Sequence, residues 1–430
     1  MTHWNGLQLR TAIICFLLSM LDGADVLVVS FVAPVLTKQW GISDVAFGLV
    51  FSAGLAGMTL GALFLAPFAD IWGRKRMILL STLVITVGMT ASGWAQDIVQ
   101  LVALRVWTGL GIGAMLASIT ALSSEYAPDQ FRPLAVTLVT AGYPVGATLA
   151  GLAAGYVIPA FGWEAIFILI GLASALMAPL VAAALPESTE FLIARQPASA
   201  LARVNRYRLN QGKQPMSGLP PVEFKTARLP IARLMSPDLR IGTLLIWGAF
   251  FASFFTVYFL TSWVPKIAVQ AGYSLPIAVN GSAVFNLGAF FGLVLLGWCA
   301  SRMNLATLIS LFFLLAAVAM ILFGLRQAPL AIFYSSMLIM GFLIQGGFGG
   351  LYAIATQYYP AAVKTTGVGW AIGVGRLGAV AGPAIGGIVL SSGISLFLCF
   401  LLFAIPMLLA AVLTWLVAAQ PASKTMPMTV

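Results

Sequence analysis

Two acidic side chains lie inside the first long apolar stretch of the chain. Asp22 and Asp25 interrupt a mostly apolar run from Thr11 to Leu36. Because they are three residues apart, a helix places both carboxyl groups on one face. An ionisable group at the middle of a bilayer costs about 2.5–3.5 kcal/mol on insertion scales, so such groups usually serve a function. The pair indicates a site for protons or cations, or else a structural contact to an arginine or a polar helix face.

Two arginines also lie within apolar stretches. Arg376 is about eleven residues into its stretch, where a guanidinium group can hold a carboxylate through two parallel hydrogen bonds. It could equally form a permanent pair with Asp22 or Asp25. Arg105 lies nearer the end of its stretch, and the alternatives to substrate contact are snorkelling to the surface or pairing with Asp97.

The elements that position these charges are membrane-spanning helices. The chain has 430 residues, of which 61% are hydrophobic and 8% charged, a composition that excludes a soluble globular domain. Hydropathy and helix-breaking residues divide it into twelve stretches, each long enough to cross about 30 Å of hydrocarbon. The predicted spans are 11–36, 45–67, 77–95, 98–123, 134–158, 164–184, 241–264, 277–300, 305–324, 329–356, 365–391 and 394–418.

The basic residues indicate the topology. With twelve spans, 17 of the 22 lysines and arginines fall on the side of the termini and the central segment, whereas the opposite loops hold only Lys38, Lys266 and Arg326. Positive loops remain in the cytoplasm, so both termini are predicted to be cytoplasmic. The net charge of +10 is therefore a topology signal rather than a sign of nucleic-acid binding. We expect a multi-pass protein of a bacterial-type cytoplasmic (inner) membrane.

The two halves of the chain repeat each other at an offset of 232 residues. At this offset Gly109 matches Gly341 and Gly146 matches Gly378. The predicted organisation is a first six-helix half over 1–184, a cytoplasmic loop over 185–240 and a second six-helix half over 241–430. A parallel repeat of six spans is the design of the major facilitator fold, an all-α membrane architecture with a central cavity. No acidic residue follows Asp238, so proton carriers are expected in the first half.

The loop after the second span resembles the signature loop of the major facilitator superfamily. Residues 66–75 read A-P-F-A-D-I-W-G-R-K, against the family pattern G-x-L-x-D-R-x-G-R-R/K. The resemblance implies a gating loop formed by Asp70, Gly73, Arg74 and Lys75. In the family, the aspartate caps a helix end and meets cations across the domain interface. This chain departs from the pattern at Ala66, Phe68 and Ile71.

Further motifs resemble those of the aromatic acid:H⁺ symporter family. They are D-G-A-D at 22–25, R-V-W-T-G-L-G-I-G at 105–113, S-E-Y-A-P at 124–128, L-P-E-S at 185–188 and G-V-G-W-A-I-G-V-G-R-L-G at 367–378. The resemblance links five charged residues to transport: Asp22, Asp25, Arg105, Glu125 and Arg376. We expect the three acids to take part in proton coupling and the two arginines in substrate binding. Glu125 could instead be a gate residue that pairs with Arg132 or another loop cation.

Uncharged side chains inside the spans complete the predicted binding site. Aromatic and amide groups suit a ring and its hydroxyl or carboxylate substituents. The candidates are Tyr143, Phe254, Tyr258, Asn286 and Gln345. Glycine runs such as 109–113 lie within spans and follow no strand, so they indicate close helix packing rather than a nucleotide loop.

Taken together, the residues and the resemblance predict a proton-coupled importer of a small organic anion, with an aromatic carboxylate of the hydroxybenzoate type as the expected substrate. The alternatives are import or export of a non-aromatic acid such as an unsaturated dicarboxylate, and a non-transporting sensor. The sequence has no H-E-x-x-H motif and no histidine within a span, so these features do not support an intramembrane enzyme. We expect no metal or other cofactor, no nucleic-acid partner and a monomer in the lipid bilayer.

Overall fold

The computed structural model confirms an all-α membrane fold with twelve spans. It describes residues 4–128, 131–210, 214–220, 231–299, 303–324, 329–360 and 363–419. Twelve helices in these ranges are long and apolar enough to cross a membrane. Six of the basic residues used to predict the topology lie outside the described residues: Lys213, Lys225, Arg228, Arg302, Arg326 and Lys424.

We number the twelve long helices in chain order. In the first half they are α1 (Gly6–Trp40), α2 (Asp44–Trp72), α3 (Arg74–Ser92), α4 (Ile98–Tyr126), α5 (Arg132–Phe161) and α6 (Trp163–Ala184). In the second half they are α7 (Arg240–Gln270), α8 (Leu275–Cys299), α9 (Leu305–Gly324), α10 (Leu330–Tyr358), α11 (Lys364–Ser391) and α12 (Leu396–Ala419). Short helices Thr189–Arg195, Ala200–Asn210 and Ile231–Leu234 lie between α6 and α7.

The helices form two compact units whose boundaries cut across the sequence repeat. Unit 1 comprises 1–26, 56–147 and 161–227, and unit 2 comprises 27–55, 148–160 and 228–430. The boundary falls inside α1, α2 and α5. The final parts of α1 and α5 and the first part of α2 therefore belong to the same unit as α7 to α12. The predicted division at 184 and 241 stays a prediction; α6 ends at Ala184 and α7 begins at Arg240.

The repeat appears in the structure as matching helix crossings. In unit 1, α3 packs against α4 and α6, and in unit 2, α9 packs against α10 and α12. Glycines allow equivalent close approaches elsewhere: Gly57 of α2 faces the Val106 carbonyl of α4, and Gly288 of α8 faces the Leu338 carbonyl of α10. A side chain at either glycine would collide with the backbone of the facing helix. In a bilayer no hydrophobic effect drives helices together, so their association depends on close packing. Small residues at such crossings make this packing possible.

Candidate functional site

The two α1 carboxyl groups are buried in unit 1. Asp22 and Asp25 are each only 2% exposed. Both carboxylate oxygens of Asp25 are inaccessible and accept no hydrogen bond from any described residue. The charged groups whose fields act on Asp25 are Arg105 and Asp22. A buried carboxylate that lacks hydrogen bonds is costly as an anion, so the neutral, proton-carrying form suits this position.

The glycine within D-G-A-D fixes the position of these acids. Gly23 packs directly on the Tyr143 carbonyl of α5, and Gly146 of α5 packs on the Met20 carbonyl of α1. This reciprocal contact lets two helix backbones approach more closely than side chains would permit. The D-G-A-D motif therefore places the helix crossing at Gly23, which lies between Asp22 and Asp25 in the sequence.

Arg105 lies close to this pair but is held by neutral groups of α3 and α6. Its two terminal nitrogens lie 3.3 Å from the Met89 sulfur, and one of them also donates to the Ser92 hydroxyl. The guanidinium carbon lies 5.1 Å from the centre of the Phe167 ring, a cation–π contact. Arg105 is 4% exposed, so it does not snorkel to the surface. The described residues show no ion pair between Arg105 and Asp97, whose carboxylate accepts hydrogen bonds from Gln100.

Unit 2 contains an aromatic cluster on α7 and α10. Phe254 stacks on Tyr258 with ring centres 5.9 Å apart and meets Phe348 edge to face at 4.7 Å. The cluster continues through Phe250, whose ring centre lies 5.3 Å from that of Tyr352. It therefore includes two predicted residues, Phe254 and Tyr258, and three that the sequence reasoning missed. Their signal was spacing, since both helices carry aromatic residues four positions apart.

Arg376 of α11 lies beside this cluster. The preceding residue, Gly375, leaves room for the Phe254 ring, which a side chain would meet at 2.7 Å. Arg376 and Tyr258 are the ionisable groups whose fields reach the Tyr352 hydroxyl. Arg376 is half-buried and forms neither a hydrogen bond nor an ion pair with any residue that the structure describes. Unit 2 thus presents a cation next to aromatic rings.

The other predicted binding residues differ in how they are engaged. Asn286 is buried in α8, and its amide nitrogen donates to the Ser282 carbonyl one turn earlier. Gln345 of α10 is half-buried and makes no hydrogen bond to a described residue. Tyr143 is half-buried on α5, and its backbone forms the α1 contact. Gln345 therefore retains a free amide group, whereas the Asn286 donor stabilises its own helix.

The predicted gating loop belongs to a polar network in unit 1, around the start of α3. Arg74 forms ion pairs with Glu125 at the end of α4 and with Glu190, the latter at 3.1 Å. Ser188 donates to the same Glu125 carboxylate at 2.8 Å. Glu125 is therefore grouped with Arg74, not with Arg132 or the α1 acids. Asp70 is exposed, and its carboxylate has no hydrogen bond to a described residue, although its carbonyl accepts one from Arg195.

A second acid, Glu187, caps α3. Its carboxylate accepts hydrogen bonds from the Lys75 backbone at 3.0 Å and the Ser188 backbone at 2.9 Å. An acid at this position satisfies an unpaired amide and complements the helix dipole. The carboxylate occupies the space where a Gly73 side chain would lie. The sequence identified Glu187 only as part of the L-P-E-S motif. Its role as a cap was missed because Glu187 lies 112 residues from Lys75, and no local pattern connects them.

We expect Gly73→Ala to destabilise the protein. Gly73 has φ +99° and ψ 144°, a region nearly restricted to glycine that costs other residues about 1–3 kcal/mol. The new methyl group would also displace the Glu187 cap. The measurement is the midpoint of thermal unfolding in detergent. Gly369→Ala is the matched control, because a side chain there meets nothing within 4 Å. Equal midpoints for both variants would contradict the expectation.

Comparison with known proteins identifies the class that this fold and these buried charges define. The family model described as Major Facilitator Superfamily matches residues 15–375, so the chain belongs to this superfamily of transporters and is not an enzyme. The fold agrees with the inward-open xylose transporter XylE of E. coli, at a TM-score of 0.78 and 16% identity over 97% of this chain and 98% of that one.

Within the superfamily, the chain is similar to transporters of aromatic acids. It is 34% identical over 404 residues to the gallate transporter of Pseudomonas putida, covering 93% of this chain and 89% of that protein. It is also 34% identical over 389 residues to the 4-hydroxybenzoate transporter PcaK of Pseudomonas aeruginosa, covering 90% and 87%. The predicted family resemblance is confirmed. The chain is a multi-pass membrane transporter of the major facilitator superfamily.

Proposed function

We propose that the protein imports a small aromatic carboxylate together with protons across the cytoplasmic membrane, with both termini in the cytoplasm. The observation that carries the proposal is the Asp25 carboxyl group, which is buried in a transporter helix and accepts no hydrogen bond from the described residues. The relatives named for gallate and 4-hydroxybenzoate support the substrate class. The protein acts as a monomer whose six-helix halves, 1–184 and 241–430, are joined by the loop 185–240.

In this proposal Asp25 carries the proton and Arg105 stabilises the carboxylate after the proton leaves. Arg105 is held by Met89, Ser92 and Thr108, neutral partners that compete weakly with an anion. Loss of the Asp25 proton creates a buried charge that attracts the guanidinium group from these partners. Proton binding and a rearrangement of α3 and α4 are thereby coupled through one residue. Asp22 adjusts this equilibrium through its field on Asp25.

The substrate carboxylate binds Arg376 in the proposal, and the neighbouring aromatic cluster contacts the ring. Arg376 has no acidic partner among the described residues, so its charge is available to a ligand. Two parallel hydrogen bonds from a guanidinium group fix the plane of a carboxylate. The half-buried amide of Gln345 supplies a polar group for a ring hydroxyl. Glu125 and Arg74 act in the cytoplasmic gate rather than in proton coupling.

The test is uptake of labelled 4-hydroxybenzoate and gallate into proteoliposomes with an imposed inward pH gradient. One proton per monoanion is electroneutral, so one pH unit drives about tenfold accumulation, equivalent to about 1.4 kcal/mol. Collapse of the gradient with nigericin should remove the accumulation. Uptake that is indifferent to the gradient would contradict proton coupling. Uptake of fumarate but of neither aromatic acid would favour the alternative carrier of unsaturated dicarboxylates.

A further inference from the structure

A buried lysine in unit 2 has no part in the proposed proton and substrate sites. Lys266 was predicted to lie in a loop, but the structure places it within the last turns of α7, where it is only 3% exposed. A buried ammonium group requires charged or polar partners to offset its loss of water. Its partners therefore indicate what the residue does.

The partners of Lys266 come from the first half of the sequence. Its ammonium group forms an ion pair with Asp44, the first residue of α2, and donates to the Thr37 hydroxyl at the end of α1 at 3.1 Å. The Trp263 ring, one turn earlier on α7, lies 5.5 Å from the ammonium group. A carboxylate, a hydroxyl and an aromatic face thus enclose one cation. This is the one ion pair in the described part of unit 2.

Neutral contacts join the same two parts of the sequence around this pair. Trp263 donates its indole N–H to the Pro383 carbonyl at 2.9 Å and meets Phe51 of α2 edge to face. Ser52 of α2 donates to the Val380 carbonyl of α11 at 2.7 Å. All these residues belong to unit 2, in which the final part of α1 and the first part of α2 pack with the second repeat. Under the proposed topology these are the outer ends of the helices.

Alternating access requires the outer ends of the two repeats to separate when the transporter opens outward. The Asp44–Lys266 pair crosses from one repeat to the other, so it cannot persist in that state. We propose that Asp44 and Lys266 form an outer latch, with Thr37 and Trp263 completing it, that stabilises the closed outer side. Opening transfers both charges from a mostly buried position to water, where each is hydrated. The latch therefore sets the balance between states without contacting substrate.

The test measures outward opening directly and needs no knowledge of the substrate. Ala283 of α8 is 3% exposed and lies against Thr148 of α5 in unit 2, so a cysteine there reports separation of the outer ends. The background replaces the three native cysteines, Cys15, Cys299 and Cys399. Intact cells that carry Ala283→Cys are treated with a membrane-impermeant maleimide, and the labelling rate is determined by gel shift.

We expect Lys266→Met and Asp44→Asn each to raise the labelling rate about tenfold, because removing one partner from a buried ion pair leaves the other charge unpaired and favours its exposure to water. Lys38→Met is the matched control, since Lys38 is exposed beside Thr37 and should leave the rate unchanged. Rates for Lys266→Met and Asp44→Asn that equal those of the parent and of Lys38→Met would overturn the latch.

A charge exchange separates loss of the latch from general damage to the fold. Lys266→Asp alone should label quickly, whereas the double variant Asp44→Lys with Lys266→Asp restores opposite charges and should label as slowly as the parent. Equal, fast labelling of the single and double variants would overturn the proposal, even if Lys266→Met expressed poorly. Because neither experiment uses an aromatic acid, failure of the substrate proposal leaves this result interpretable.

Discussion

Asp25→Asn is expected to abolish concentrative uptake while the carrier still exchanges substrate. Asparagine keeps the size and polarity of a protonated aspartate but cannot release a proton, so transport loses its link to the pH gradient. With one coupled proton, accumulation at a gradient of one pH unit should fall from about tenfold to about onefold, a loss of about 1.4 kcal/mol of driving force. The measurements are gradient-driven uptake and counterflow in the same proteoliposomes.

Two further variants locate the effect. Asp22→Asn should slow uptake but retain its response to the gradient, because Asp22 acts on Asp25 through its field and does not carry the proton in this proposal. Asp97→Asn is the matched control, since Asp97 caps α4 and asparagine is as good a cap. Retained accumulation in Asp25→Asn, or its loss in Asp22→Asn alone, would assign the proton to Asp22 instead.

The fold was predictable because a bilayer imposes long apolar helices and because the chain repeats itself. Hydropathy identified all twelve helices, although it ended α2 at residue 67, whereas the structure continues this span to Trp72 and so includes Asp70 of the gating loop. The glycine run at 109–113 was predicted to serve close helix packing, and Gly113 of α4 packs on the Met58 carbonyl of α2. Both signals depend on residue type at regular spacing, which a single sequence displays directly.

The long-range polar contacts were not predictable in this way. Lys266 and Asp44 are 222 residues apart, and each lies near the end of an apolar stretch, where a charge is normally an unremarkable loop residue. Glu187 was noted only as part of the common L-P-E-S motif, and its role as a cap of α3 was not predicted. Glu125 was grouped with the α1 acids by resemblance, with a gate role beside a loop cation as the alternative, and the structure pairs it with Arg74 of the loop. Such partners are set by tertiary packing, which charge counting does not describe.

The aromatic cluster on α7 and α10 was predictable in part. Phe254 and Tyr258 were predicted, and the same spacing along α7 leads to Phe250, which stacks on Phe254 with ring centres 6.1 Å apart. The contribution of α10 depends on which helix faces which, and hydropathy does not supply that information. The placement of Arg376 next to this cluster, rather than next to an acid of unit 2, is the arrangement on which the substrate proposal depends most directly.

Arg376→Met is expected to weaken binding of 4-hydroxybenzoate by at least about 30-fold, because loss of one partner from a buried charged contact costs about 2–5 kcal/mol. Arg376→Lys should recover only part of this loss, since an ammonium group cannot form the paired hydrogen bonds of a guanidinium group. The measurement is the dissociation constant of the purified protein, determined by ligand-dependent change in tryptophan fluorescence. Arg240→Met, at an exposed position that begins α7, is the matched control.

A second ligand distinguishes direct contact from a structural role of Arg376. 4-Hydroxybenzamide keeps the ring and the hydroxyl group but lacks the negative charge, so the parent should bind the acid far better than the amide. If Arg376 holds the carboxylate, Arg376→Met should remove this preference and leave the weak affinity for the amide nearly unchanged. If the arginine only supports the fold, both affinities should fall by the same factor. A preserved preference for the acid would mean that another cation binds the substrate carboxylate. The candidate is then Arg105, the buried arginine of unit 1.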